Sequence, residues 1–224
     1  MTQMLRRRVV VRVDDVTSPI EPLRGLVRWA AEHAVPLSLA VIPARMAPQL
    51  PLFLRSCFAY EITQHGWSHT NHEPPTSSKC EFGDSVSVGA SLSRIAIGVS
   101  LLRATFPHSF AEVFVPPWNR CSQSVIEGLP EIGLRAISRS WVPPDRRVPG
   151  LTERPVTIDL DHCRSVEDAE LFARRSDARD KANGDRTGTD VLMVHPQNLS
   201  PLRVSLLTSI VASYEQAELF ANLT

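Results

Sequence analysis

Residues 9–15 read Val-Val-Val-Arg-Val-Asp-Asp, a β-branched run that ends abruptly in two carboxylates. Valine is stiff at χ1 and packs well on a pleated, buried surface, so the run predicts a strand that exits at Asp14-Asp15. Arg6-Arg7-Arg8 just before it gives the segment the look of a secretory signal. Arg12 and the aspartates interrupt the apolar stretch far short of the ~7–15 residues such a signal needs, and no small-residue cleavage site follows. A strand of the mature fold is the expectation.

The same kind of run recurs outward from here, alternating with segments of helical period. Over 20–34, Leu23, Leu26, Val27, Ala30, Ala31 and Ala34 recur at three- and four-residue steps behind Ser18-Pro19, which predicts a helix. Residues 37–42 form a second apolar run closed by Pro43, 48–55 suit a short helix, and 58–63 make a third strand ending at Gln64-His65-Gly66. A polar loop over 71–84 leads to a long helix at 86–106, where Leu92, Ile95, Val99 and Leu102 share a face. Strands follow at 111–115, stopped by Pro116-Pro117, and at 134–138 after helical residues near 125–129. Pro143, Pro144, Pro149 and Pro155 mark 141–155 as a surface excursion. Strands at 156–160 and 191–194 enclose a charged helix at 166–182 and a polar loop to Asp190, and a helix over 202–214 closes the chain. This order predicts an α/β fold of parallel strands joined by helices. Without repeats, linkers or low-complexity tracts, residues 1–224 read as one domain.

Composition excludes several classes. A chain of 224 residues can bury on the order of 70% of its unfolded surface, enough for one core without disulfides. Lys+Arg and Asp+Glu both number 24, so no global positive field exists to grip a phosphate backbone, and nucleic acid is not expected as a partner. No apolar run approaches the ~20 residues that span a bilayer, so no membrane is expected either. Cys57, Cys80, Cys121 and Cys163 lack CxxC or zinc-ribbon spacing. They read as reduced thiols packed as small hydrophobes in a soluble, cytoplasmic protein.

The chemistry-bearing residues cluster by position. Asp14-Asp15, His65, Pro116-Pro117-Trp118 and His195 each lie just past a predicted strand end, the edge where α/β folds place their active sites. Taken singly, each has a bland explanation. An acidic pair after a strand is often a cap or a solvated turn. His65 and His69, four apart, lie on one side of a helical turn and suit zinc, yet HxxxH arises by chance. His72 is a third candidate, in a loop. His195 reads equally as a satisfied core histidine, and Trp118 as a core filler rather than a sugar platform. Trp67 sits between the two candidate ligands, where it could shield a metal.

Together, in this order, these features resemble the polysaccharide deacetylase (NodB-homology) family of carbohydrate esterases. Arg12-Val13-Asp14-Asp15 is similar to its Thr-Phe-Asp-Asp motif, and His65 with His69 to its His-Ser/Thr-x-x-His. Val115-Pro116-Pro117-Trp118 resembles its Arg-x-Pro-aromatic element, and Leu192-Met193-Val194-His195 its terminal Leu-x-His. Two positions depart from the pattern and mark a divergent branch. Gly66 stands where the family has Ser or Thr, and Val115 replaces the arginine that pairs with the base, leaving Arg120 or Arg139 to take over. Asp159-Leu160-Asp161-His162 is the nearest match to the element that supports the catalytic histidine.

The resemblance implies a distorted (β/α)7-type barrel and one divalent metal, zinc or else cobalt or another transition ion, on Asp15, His65 and His69. It implies Asp14 as general base, His195 as general acid, and the Trp118 N–H beside Pro117 as oxyanion donor. His72, Asn119, Arg120 and Asp161 would stand behind them. The implied activity is removal of an acyl group, most simply N-acetyl, from an amino sugar or related carbohydrate. Hydrolysis of a small non-sugar amide, or a decayed carbohydrate-binding protein of the same fold, are the alternatives.

Overall fold

The computed structural model describes residues 5–183 and 188–223. Its frame is one sheet with every pairing parallel. β1 (Leu5–Val16), β2 (Leu37–Val41), β3 (Tyr60–His65) and β4 (Phe110–Val115) lie side by side, continued by β5 (Ala136–Ile137) and β6 (Thr152–Glu153). Across β1 lie β8 (Thr189–Val194) and then β7 (Ile158–Asp159), giving the order β6-β5-β4-β3-β2-β1-β8-β7. β9 (Tyr214–Ala217) pairs with β1 from Leu5 to Val9, below the point where β2 begins at Val11.

The two edges of this sheet are nearly consecutive in sequence. From Glu153 to Ile158 the backbone can span at most ~18 Å, whereas strands in that order laid flat would put their edges ~34 Å apart. The sheet must therefore curl until β6 and β7 approach. The result is the distorted barrel of the NodB-like (β/α)7 type. Helices α1 (Glu21–Glu32), α2 (Leu50–Leu54), α3 (Val88–Thr105), α4 (Gln123–Glu127), α5 (Val166–Ala182) and α6 (Pro201–Val211) make the connections.

Alternation along β1 shows why residues 9–11 are apolar at both parities. Val9, Val11 and Val13 join an outer cluster with Leu23, Leu26 and Trp29 of α1 and with Leu207 and Ile210 of α6. Val10 points the other way, into a small inner cluster with Ala40, Val113, Val115, Ala136 and Val191. A strand buried on both faces needs hydrophobes at both parities. Arg12 and Asp14 share the inward parity of Val10. Phe220 belongs to the same inner cluster, and the N–H groups of Phe220 and Ala221 donate to the Glu61 carboxylate of β3 at 2.7 and 2.9 Å. That end of the barrel is plugged, so chemistry is left to the opposite rim.

Three expectations need correction. The excursion at 141–155 contains β6, and its Val148 and Leu151 are buried with Phe82, Ile95 and Phe114. The final helix stops at Val211, and Tyr214, expected at its end, instead starts β9 with its hydroxyl on Asp190 Oδ2 at 3.0 Å. Pairing with β1 overrides the helix propensity of Glu215, Gln216 and Ala217. The strand expected at 156–160 is reduced to Ile158–Asp159. Within the polar loop expected before Asp190, residues 184–187 lie outside the described residues. All four thiols are unpaired, and no helix among the described residues is long and apolar enough to cross a membrane.

Candidate metal centre

The end of β1 solves a geometric problem. Adjacent residues of a regular strand face opposite ways, so Asp14 and Asp15 cannot both serve one rim. The β1–β2 register slips after Val13, and Asp15 adopts φ 60°. That kink brings Asp15 against His65 and His69 at the end of β3 and Gln197 after β8. Asp15, His69, Trp118 and Asn119 account for four of the five non-glycine residues with positive φ among the described residues. Such conformations cost ~1–3 kcal/mol each and persist only where surrounding contacts enforce them, as at functional sites.

His65 ends β3 and His69 follows one turn later. His65 Nδ1 lies 3.0 Å from the Val115 carbonyl, which can only accept, so Nδ1 carries the proton and Nε2 presents a lone pair when the ring is neutral. His65 Nε2 and His69 Nε2 lie 3.3 and 3.2 Å from the same atom, Asp15 Oδ1. That oxygen is buried and has no hydrogen-bond donor. Three ligand atoms thus converge with nothing between them, an arrangement relieved by a proton on a histidine or by a bound metal ion. Ligands ~2.1 Å from a tetrahedral ion sit about 3.4 Å apart, close to these spacings. Two imidazoles, one of fixed tautomer, and a carboxylate fit zinc or a similar divalent ion.

Protonation behaves as this geometry requires. Burial would raise the Asp15 carboxyl, but the His65 contact and the charges of His65, His69 and His195 hold it well below the usual carboxylate range. Burial would lower His65, but the Asp15 contact and the charges of Asp14 and Asp15 prevail and raise it. Burial and the neighbouring His65 lower His69.

The two histidines are not joined by a helical turn, as their spacing suggests. Gly66 has φ +60° and His69 φ 53°, making a left-handed turn whose N–H groups open to one side. Glu81, fully buried in the loop expected to be merely polar, accepts from the Trp67 and Ser68 N–H groups at 3.1 and 2.6 Å and from the Ser68 hydroxyl at 2.8 Å. A Cβ at Gly66 would fall on that carboxylate and within 2.6 Å of Pro117 Cγ, so glycine is required in place of Ser or Thr. Trp67 packs against the core cluster around Phe82 rather than over the ligands.

Asp14 is held from its own strand. Arg12, fully buried, donates from Nε and Nη2 to both Asp14 oxygens at 2.8 and 2.7 Å. Its remaining N–H groups reach the Ser138 carbonyl and hydroxyl, Asn119 Oδ1 and Met193 Sδ. The expectation that Arg120 or Arg139 replaces the arginine missing at Val115 is therefore corrected. Arg139 pairs with Glu153 at 2.6 Å, and Arg120 is exposed. Residues i and i+2 of a strand share a face, so the partner was visible in Arg12-Val13-Asp14.

On the far side of the rim, His195 Nδ1 meets Asp161 Oδ2 at 2.9 Å. Asp161 Oδ2 also accepts from Asn198, and Asp15 Oδ2 accepts from Gln197 at 2.9 Å, neither of which stood out in the sequence. Trp118 stacks obliquely on His69 with centroids 4.4 Å apart, and its N–H has no acceptor among the described residues. His72 stands apart from this group, its Nε2 3.3 Å from Arg94.

No protein-family model and no curated protein matches the sequence. Solved structures do. A protein designated polysaccharide deacetylase from Mycobacterium smegmatis superposes with TM-score 0.66 at 16% identity, over 98% of this chain and 90% of that one. A family 4 acetyl xylan esterase from Clostridium thermocellum, in complex with a cobalt ion, gives 0.60 at 15% identity, over 97% and 90%. The chain has the fold of the family 4 carbohydrate esterases. A family 4 pseudoenzyme from Bacillus anthracis shares that fold, with TM-score 0.57 at 11% identity over 99% of this chain and 66% of its own.

Two outcomes follow from the geometry of this family 4 fold. Arg12→Met leaves Asp14 buried and unpaired and should cost about 3–5 kcal/mol in urea unfolding, whereas Arg12→Met with Asp14→Leu should recover most of it. Equal losses in the single and double variants contradict the pairing. The raised His65 contributes stability that is complete below its unfolded value of about 6.5 and is lost as pH rises through the folded value. The lowered Asp15 contributes only above about 3.9, so it does not mask this trend. Metal-free protein should melt at lower temperature as pH climbs past neutral, and saturating zinc should abolish the decline. A metal-free melting temperature that is flat or rising over that interval contradicts it.

Proposed function

We propose that this protein is a metal-dependent deacetylase that removes an acyl group, most simply N-acetyl, from an amino sugar or related carbohydrate. The observation that carries the proposal is the buried, donorless Oδ1 of Asp15 facing two histidine Nε2 atoms. Asp15, His65 and His69 would hold a divalent ion, which supplies a water acidified from a pKa of ~15.7 to about 7 and polarises a carbonyl. The solved structures of this fold support the choice of reaction, one an acetyl xylan esterase with cobalt and another a family 4 esterase from Streptomyces lividans with acetate.

The chain's own residues divide the remaining work. Asp14, held by Arg12, takes the proton of the attacking water. Trp118 is the first residue of its loop with an N–H, since Pro116 and Pro117 have none, and that unpaired donor serves the developing oxyanion. His195, with Nδ1 on Asp161, offers Nε2 to protonate the leaving amine. A cavity of about 370 Å³ beside the rim, walled by Trp118, Trp141, Phe172, Arg120 and Arg179, has room for a sugar ring against aromatic faces. A cytoplasmic location would match a small soluble acylated sugar better than a wall polymer.

Purified protein loaded with zinc or cobalt should release acetate from N-acetylated sugars, lose that activity on chelation and regain it with metal. His195→Ala should lower the rate on these amides by about 10²–10⁴-fold but affect an activated aryl acetate far less, because an aryl oxide leaves without protonation. Turnover confined to small non-sugar amides would move the assignment to an amidohydrolase. Metal binding without turnover on any acylated compound would mark a decayed enzyme.

A further inference from the structure

We propose that Gln197 is a positioning residue of the metal centre, which from the turn after His195 fixes the Asp15 carboxylate so that only Oδ1 faces the histidines. This rests on the assignment of Asp15, His65 and His69 as ligands. β8 ends at Val194, and residues Pro196–Asn198 form a tight turn closed by Asn198 N–H on the His195 carbonyl and Leu199 N–H on that of Pro196, both at 3.0 Å. Gln197 Nε2 donates to Asp15 Oδ2 at 2.9 Å, which fixes its amide orientation because a carboxylate only accepts. Asn198 Nδ2 donates to Asp161 Oδ2 at 2.8 Å, the oxygen that also takes His195 Nδ1. Arg203, one turn on, donates to the Leu160 and Asp161 carbonyls at 2.6 and 3.2 Å and pins the loop carrying Asp161.

Asp15 depends on such a hold. Its backbone sits at positive φ, and the carboxylate could otherwise rotate to present either oxygen, or both, to the histidines. With Oδ2 tied to Gln197, a single oxygen remains for an ion, and further coordination positions stay free for water and substrate. The segment that carries the proposed proton donor thereby also sets metal affinity. Gln197 is exposed, so its amide is dispensable to the core.

The test is the affinity of the full chain for Co²⁺, measured by competition with a chromophoric chelator. Gln197→Met should weaken binding about 10–100-fold, the usual effect of losing a partner of a ligand, with the melting temperature of metal-free protein unchanged. Asn198→Ala, in the same turn but bonded to Asp161, should leave affinity within about twofold of wild type, well outside the range expected for Gln197→Met. Wild-type protein that binds Co²⁺ with Gln197→Met unaltered overturns this inference alone, as does an equal loss in Asn198→Ala, which would signal general loosening of the turn. Wild-type protein that binds no ion overturns the ligand assignment as well.

Discussion

Two consecutive aspartates cannot face one point from a regular strand, and the rim of this barrel is built around that constraint. Asp14 keeps the strand's inward direction and is neutralised by Arg12, two residues back on the same face. Asp15 escapes the alternation through a register slip and a positive φ, which set its Oδ1 against the Nε2 atoms of two histidines and its Oδ2 on Gln197. Burying either carboxylate without its partner would be strongly unfavourable. The remaining polar order of the rim follows from meeting these two demands. The guanidinium of Arg12 reaches Ser138, Asn119 and Met193, so one buried cation joins β1 to β5, to the loop after β4 and to β8.

Placing the arginine on β1 changes what β4 has to do. Val115, where the resembling family has its arginine, is free to be a fully buried member of the inner cluster. Its carbonyl still contributes, accepting from His65 Nδ1 and from the Gly66 N–H. Where a motif match places an arginine on β4, this chain carries its buried guanidinium on β1, with β2 and β3 between them on the same rim. Gly66 follows similar logic, since the carboxylate of Glu81 and the ring of Pro117 occupy the space a side chain would need.

The parallel architecture was legible because strands buried on both faces leave apolar runs, as in residues 9–11 and 191–194, and strand-end polar residues then mark the rim. Short edge elements leave no such run. Thr152–Glu153 is a two-residue strand in a proline-rich stretch, and Tyr214–Ala217 looks helical until β1 offers it an edge. In the candidate site, residues one or two positions from a recognisable motif were within reach of a parity argument, as Arg12 shows. Glu81, Gln197 and Asn198 were not, because their roles arise from turns whose backbone direction no periodicity encodes. Asp161 was reachable only through a loose motif match.

Fold alone does not decide activity, and a pseudoenzyme from Bacillus anthracis shares this one. On that fold this chain carries a donor set in which the Val115 carbonyl fixes the His65 tautomer, a donorless buried oxygen on Asp15, and a separate carboxylate and histidine each supported by their own partners. The central claim is that this donor set binds one divalent ion. Anomalous diffraction from crystals grown with zinc, collected at the zinc edge, tests it most directly. The account predicts one strong peak ~2.0–2.2 Å from Asp15 Oδ1, His65 Nε2 and His69 Nε2. No peak there, or a peak instead at the neighbouring group of Asp159, Asp161 and His195, would contradict it.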